Sequence, residues 1–234
     1  MAVVTGARGG IGRVTAQVLS NAGAKVAMFV RQAGDAPALA RSLSFSCDVT
    51  AEESVQEAFC KTRDAFGRID AVIHAAGAVG KGPLHEMSVD AWRATMEVNL
   101  TSSFLIAREA YEDLKSSRGC LVFLSSTNGR NGGSHLSGPA YASAKAAVIN
   151  LTRYLAKEWG PAGVRVNCVA PGPVKTPMLD RLSEAEIDAL RALSPLRHIT
   201  TAEEVAAGIA YLCSPDASGV TGEVLNLSGG LVLD

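Results

Sequence analysis

The sequence is short of charge, aromatic residues and any feature that ties a chain to a membrane, a metal or a nucleic acid. Only 19% of its 234 residues are charged and 5% aromatic, and the net charge is -1. No cluster of Lys and Arg stands out, which argues against a nucleic-acid or anionic-membrane surface. No apolar run approaches the ~20 residues that span a bilayer. The start of the chain lacks a charged segment followed by an apolar core and a cleavage site, so no signal peptide is expected. Five Cys form an odd set without a Cys-x-x-Cys pair, and four scattered His show no ligand spacing. Neither a metal site nor a disulfide framework is indicated. Reduced thiols suit a cytoplasmic location.

What remains is a chain of 47% hydrophobic residues, long enough for one large domain with a substantial core. Apolar runs with β-branched residues alternate with stretches of helical periodicity. Short strands are expected at 1–4, 24–30, 43–46, 70–73, 120–124, 165–169 and 223–227. Helices are expected at 11–22, 51–66, 87–115, from 141 to about 160, and at 201–213. Such alternation predicts an α/β fold with a parallel sheet covered on both faces. There is no internal repeat or linker, so residues 1–234 are read as a single domain. Residues 127–139, rich in Gly, Asn and Ser, read as a loop within it.

Two stretches carry chemistry. The first strand runs into Thr5-Gly6-Ala7-Arg8-Gly9-Gly10-Ile11-Gly12 and then a helix. Strand, glycine turn and helix form the context in which backbone can approach a pyrophosphate and a helix N-terminus can hold it. An acid that would bind a ribose 2′-OH is missing about 20 residues on, where Val30, Arg31 and Gln32 stand. Arg31, helped by Arg8, could pair with a 2′-phosphate, which favours NADP(H) over NAD(H); alternatively Arg31 is a solvated charge at a strand end. Asp48 could accept from an adenine amino group or cap the next helix.

The second stretch is Tyr141-Ala142-Ser143-Ala144-Lys145. On a helix the phenol and the ammonium lie one turn apart on one face. A nearby cation stabilises phenolate, so the Tyr141 pKa is expected to fall towards neutrality, where a phenol can exchange a proton with an alcohol or carbonyl. The plainer reading is an exposed Tyr and Lys on an amphipathic helix.

Taken together, Thr5-Gly6-x-x-x-Gly10-Ile11-Gly12, Asn99, Ser126, Tyr141-x-x-x-Lys145, Pro171-Gly172 and Thr221-Gly222 resemble, in order and over the whole chain, the short-chain dehydrogenase/reductases. Within that family the sequence looks most like 3-oxoacyl-carrier-protein reductases and bacterial alcohol dehydrogenases. The resemblance implies a Rossmann-type doubly wound sheet of seven parallel strands in three α-β-α layers, and hydride transfer between a nicotinamide and a ketone, 3-oxoacyl thioester or secondary alcohol. It implies Tyr141 as acid/base, Lys145 lowering its pKa and holding the nicotinamide ribose, Ser126 bonding the substrate oxygen, and Asn99 anchoring a water. Gly6, Arg8, Gly10, Ile11 and Gly12 would cradle the cofactor, with Arg31 at the 2′ position. Asp48 and Val49 would meet adenine, Ala76 and Gly77 the adenosine ribose, and Pro171, Gly172, Val174 and Thr176 the nicotinamide side. Residues 173–200 would form a substrate lid, and a homotetramer would pair the helices around 97–115 and 141–160. The remaining His fall outside this scheme.

Three departures stand out. The family's usual Asn-Asn-Ala-Gly is His74-Ala75-Ala76-Gly77 here, so the support those amides give must come from elsewhere. Ser126 lies 15 residues before Tyr141, longer than the family's usual interval, so the loop must bulge; Ser125 is the less fitting alternative. The segment before Asp48 is short, which leaves the adenine side open. Two other readings remain on the same scaffold: a lyase or epimerase, and a redox-silent NADP-binding sensor or structural subunit. Dehalogenating relatives lose the cofactor glycines and the Lys, both of which are present here.

Overall fold

The computed structural model describes residues 1–233, with the backbone alone at position 33. Seven parallel strands form the central sheet: β1 (Ala2–Thr5), β2 (Val26–Val30), β3 (Ser42–Ser46), β4 (Ala71–His74), β5 (Cys120–Leu124), β6 (Arg165–Pro171) and, after a small β7/β8 pair, β9 (Val224–Leu227). β7 (Val174–Lys175) pairs in parallel with β8 (Thr200–Thr201). The main sheet has the order β3-β2-β1-β4-β5-β6-β9. The central strands β1, β2, β4 and β5 are buried throughout, as their unbroken apolar sequences require when both faces are covered.

Successive side chains point to opposite faces and divide the core in two. Val3, Ala27, Phe29, Val72, Leu121 and Phe123 join one cluster; Val4, Met28, Ile73, Val122 and Val169 join the other. On the first face lie α2 (Glu52–Phe66), α4 (Ser102–Ser117) and α6 (Pro139–Trp159), which contribute Phe59, Ile106, Leu114, Val148 and Trp159. The second is covered by α1 (Gly10–Asn21) and α8 (Ala202–Cys213), through Ala16, Leu19, Val205, Ile209 and Leu212. The three-layer fold expected from the sequence is therefore present. None of the described helices is long and apolar enough to cross a membrane.

Three elements differ from the sequence-based expectation. The long helical region is α3 (Val89–Met96), a π-helical turn (Glu97–Thr101) and α4 in succession. The loop over 127–139 contains a one-turn α5 (Asn128–Asn131), which takes up the extra residues between Ser126 and Tyr141. The lid segment holds α7 (Glu184–Leu193), opened by a capping box in which Ser183 accepts from Glu186 N–H and Glu186 accepts from Ser183 N–H. The Ser-x-x-Glu spacing at 183–186 is a helix-start signature that hydrophobic periodicity alone passes over.

The strand order reverses direction between β1 and β4, and the crevice outside their C-terminal ends is where doubly wound sheets bind ligands. Phe59 fixes the far side of that frame: it is fully buried and meets Phe29 edge-on at 5.3 Å. Phe59→Ala should cost about 3–5 kcal/mol and lower Tm by roughly 10 °C in thermal unfolding. A loss under about 1 kcal/mol would show that the core relaxes around this site.

Candidate active site

The crevice is built from the C-terminal ends of β1, β4, β5 and β6. After β1 the chain turns at Gly6, with φ 66°, into α1. A Cβ on Gly6 would lie 2.8 Å from Ala76 N, and one on Gly12 would lie 2.4 Å from Gly6 O. No larger residue fits either position. The turn thus packs directly on the Ala75–Ala76 backbone, and the first N–H groups of α1 lack intrahelical partners and have no side-chain cap. Thr176, where the chain leaves β7, lies against Gly10: a Cβ there would stand 3.5 Å from its Cγ2. Pro171 closes β6, its carbonyl accepting from Thr127 N–H (2.9 Å), and Gly172 N–H donates to Leu227 O (3.1 Å).

At the adenine side the geometry redistributes the expected roles. Asp48 is exposed and its carboxylate accepts from Thr50 N–H (3.0 Å) and Thr50 Oγ1 (2.7 Å). These bonds, with a smaller contribution from Arg31, hold its pKa below the usual carboxylate range. The helix-cap reading of Asp48 fails: Ala51 is the N-cap of α2, and the Asp48 side chain is engaged in the turn before it. The Val49 side chain is buried in the core, so a ligand contact from that position has to come from its backbone. Arg31 is exposed at the end of β2, while Arg8 forms an ion pair with Asp35 at 3.4 Å.

Deeper in the crevice, α6 starts after Gly138 with Pro139 in its first turn, where the missing N–H costs nothing. This start delivers Tyr141 and Lys145 to the end of β5. The Lys145 ammonium is buried, donates to Leu124 O (2.8 Å) and lies 5.6 Å from the centre of the Tyr141 ring. Ser125 Oγ donates to Lys145 O (2.7 Å) and thereby fixes the helix, leaving Ser126 as the serine beside the phenol. Asn99 sits in the π-helical turn, fully buried. Its Nδ2 donates to Ala78 O (2.8 Å) and Thr95 O (2.9 Å), and its Oδ1 has no partner. A Cβ on Gly77 would lie 2.8 Å from that oxygen and 3.5 Å from Lys145 Nζ. Tyr141, Lys145, Ser126, Asn99 and Gly77 therefore meet in one small volume, as the sequence motifs require. The exposed Tyr–Lys reading is excluded for Lys145.

One expectation fails. Lys145 was expected to pull the Tyr141 pKa towards neutrality, yet that pKa is raised from 10. Burial is the dominant cause, opposed by the Ser126 hydroxyl and, further off, by Arg181. It is Lys145 whose pKa falls, from 10.5 to about 8, again through burial. Both groups lose water together, and for each the charged form loses most. Sequence spacing gave their proximity, and desolvation set the sign.

Sequence reasoning also left out His74, at the end of β4. It is buried, and its ring bridges Thr5 Oγ1 (2.9 Å at Nδ1) and Ser102 Oγ (2.9 Å at Nε2). Its replacement of an expected amide was the available signal.

The fold and the cluster define a class: a dinucleotide-binding α/β protein with a phenol, an ammonium and a hydroxyl at the C-terminal edge of its sheet. Comparison with known proteins makes the assignment specific. Residues 6–232 match the family model described as enoyl-(acyl carrier protein) reductase. The chain is 38% identical to cis-4-hydroxycyclohexanecarboxylate dehydrogenase of Sinomonas cyclohexanicum, covering 98% of this chain and 95% of that protein. It is 33% identical to the 3-oxoacyl-[acyl-carrier-protein] reductase of Vibrio cholerae, over 100% and 97% of the two chains. The crystal structure of the 3-oxoacyl-[acyl-carrier protein] reductase from Brucella melitensis superposes with a TM-score of 0.93 at 31% identity, covering 100% of this chain and 91% of that one. The chain belongs to the short-chain dehydrogenase/reductase family of oxidoreductases.

The buried ammonium generates a stability prediction with a definite sign. Below pH 8 Lys145 is charged in both folded and unfolded chains and the full burial cost is present. Between about 8 and 10.5 the folded chain binds fewer protons, so wild-type stability rises with pH. Lys145→Met should therefore be more stable at pH 7, by on the order of 1–2 kcal/mol once the lost Leu124 hydrogen bond is counted. That advantage should shrink from pH 8 upward in denaturant titrations. A less stable variant at pH 7 would mean that the ammonium's bonds outweigh its burial.

Proposed function

We propose that the protein is an NADP(H)-preferring oxidoreductase that interconverts a ketone and a secondary alcohol. The convergence of Tyr141, Ser126, Lys145 and Asn99 beside the Gly6–Gly12 turn carries this reading. The orphaned Asn99 oxygen and the close-packed glycine turn are features that a nicotinamide dinucleotide and its water would fit. When bound, the nicotinamide supplies or accepts the hydride.

The residues do the rest. In the reducing direction the Tyr141 phenol is already protonated at neutral pH, because burial raises its pKa. It donates its proton to the substrate oxygen as charge develops there. The Ser126 hydroxyl donates a hydrogen bond to the same oxygen. Lys145 donates one hydrogen to Leu124 O; its others would be free to hold a ribose hydroxyl, and the unpartnered Asn99 Oδ1 would accept from a water that could resupply the proton. Gly6, Gly10, Ile11 and Gly12 hold the pyrophosphate. Ala76 and Gly77 flank the adenosine ribose, Asp48 and Val49 border the adenine, and Pro171, Gly172, Val174 and Thr176 border the nicotinamide. Arg31 would hold a 2′-phosphate, and Arg8 would join it by giving up its Asp35 partner. NAD(H) is the alternative cofactor.

Residues 173–200 act as the lid over the substrate. Exposed Met178, Leu193 and Leu196 give this segment an apolar surface suited to an alkyl or cyclic substrate, including a 3-oxoacyl thioester. Away from the crevice, Phe104, Arg108, Tyr111, Leu151, Tyr154 and Trp159 line an apolar cleft between α4 and α6. Phe104 and Tyr154, 48% and 61% exposed, support a homotetramer assembled through this face. Five free cysteines support a reducing, cytoplasmic setting.

The decisive experiment follows NADPH and NADH oxidation against ketones and acyl thioesters. Tight cofactor binding without turnover would favour a sensor. Tyr141→Phe should lower kcat at least about a hundredfold with cofactor affinity nearly unchanged; a wild-type rate would remove the phenol from the chemistry. Arg31→Asp should move the NADPH/NADH ratio of kcat/KM towards NADH by about 10- to 100-fold. An unchanged ratio would show that Arg31 does not meet the 2′ position.

A further inference from the structure

His74 ends β4 between the glycine turn and the π-helical turn that carries Asn99. The hydrogen bonds of its two neighbours assign its tautomer. Ser102 Oγ donates its own hydrogen to Val98 O (2.8 Å), so towards His74 Nε2 (2.9 Å) it is an acceptor, and Nε2 carries the hydrogen. Thr5 Oγ1 accepts from the N–H groups of Ala75 and Ala76, both at 3.1 Å. Its hydrogen is free to go to Nδ1 at 2.9 Å, which must then be an unprotonated acceptor. A second proton on the ring would set N–H against O–H at Thr5. Burial, with Lys145 nearby, correspondingly pushes the His74 pKa down to about 3.

These bonds close a circuit. Thr5 belongs to the strand that enters the glycine turn. Val98 and Asn99 belong to the π-helical turn, and Asn99 Nδ2 returns to Ala78 O, four residues after His74. We propose that His74 is a positioning residue: a permanently neutral Nε2–H imidazole that, through Thr5 on one side and Ser102 on the other, sets where Asn99 stands relative to the cofactor turn. This inference rests on the oxidoreductase reading of the same crevice. An imidazole suits the position because it can accept on one edge and donate on the opposite edge, and both its nitrogens meet a hydroxyl at 2.9 Å.

The test joins spectroscopy with kinetics. In protein carrying 15N-labelled histidine, His74 should show the Nε2–H tautomer from neutral pH down to about pH 5. Titration near neutrality, or an Nδ1–H tautomer, would overturn the proposal. Ser102→Ala removes one arm of the circuit with little loss of volume. It should shift the Asn99 side-chain amide resonances and lower kcat about tenfold, with cofactor KM within about twofold of wild type. Thr5→Val should instead raise cofactor KM. His74→Phe should show both effects, and adding Ser102→Ala to it should cause no further loss, as expected when two substitutions break one linkage. Unmoved Asn99 resonances in a folded Ser102→Ala protein, or additive losses in the double variant, would refute the role. Were the wild type to turn over no carbonyl compound, the oxidoreductase reading would fail, while the tautomer and the Asn99 resonances would still decide the role of His74.

Discussion

A cation kept out of water must find its partners within the protein, and the ammonium of Lys145 imposes that demand on everything around it. It donates to the Leu124 carbonyl at the end of β5, and the residue's own carbonyl accepts from the hydroxyl of the next residue along that strand end, Ser125. Those two bonds tie α6 to β5 where the sheet opens. Because α6 is anchored there, Tyr141 one turn earlier cannot face elsewhere, and Ser126, next along from Ser125, is brought to the phenol. The phenol and the Ser126 hydroxyl are thus placed by the requirements of a buried charge one helical turn away.

The same demand explains why the electrostatics ran opposite to the helical-spacing argument. Two ionisable groups at i and i+4 stabilise each other's charges when water still screens and solvates them. Here both are desolvated, and the loss of hydration exceeds their mutual influence. The phenol is held as an acid and the ammonium is brought close to losing its proton. Such a site is suited to giving a proton to an oxygen that becomes negative, and it keeps that readiness at the expense of stability, a common balance at functional positions.

Much of this was legible in the residues. Unbroken apolar strands such as 120–124 cannot face water on either side, so a doubly covered sheet followed directly. Gly6, Gly10 and Gly12 could be read as a candidate phosphate turn because they stand between a strand and a helix, and the structure adds that no Cβ fits at Gly6 or Gly12. The π-helical turn was not legible: Asn99 lies in a stretch whose helical periodicity continues before and after it, and one extra residue in a turn leaves that pattern nearly intact. The helix at 184–193 was hidden for another reason. Its start is signalled by Ser183 and Glu186, and Ile187, Leu190 and Leu193 recur at helical spacing, but the segment is short, lies between Pro177 and Pro195, and has no buried residue. Nor could spacing show that Asp35, four residues beyond Arg31, would reach back to Arg8.

The substitution at 74 shows how a local rule can be broken without loss of the global one. An asparagine lost from the end of β4 removes donors and acceptors at the place where two strand ends and a helix must be joined. The polar groups left behind, Thr5 Oγ1, the N–H groups of Ala75 and Ala76, and Ser102 Oγ, would each be costly if buried without partners. The N–H groups of Ala75 and Ala76 find Thr5 Oγ1, and the imidazole, with ring nitrogens on opposite edges, partners the Thr5 and Ser102 hydroxyls. The ring can do this only while neutral, and its burial keeps it so. A histidine here is therefore a connector whose usual pH sensitivity has been removed by the same packing that makes it useful.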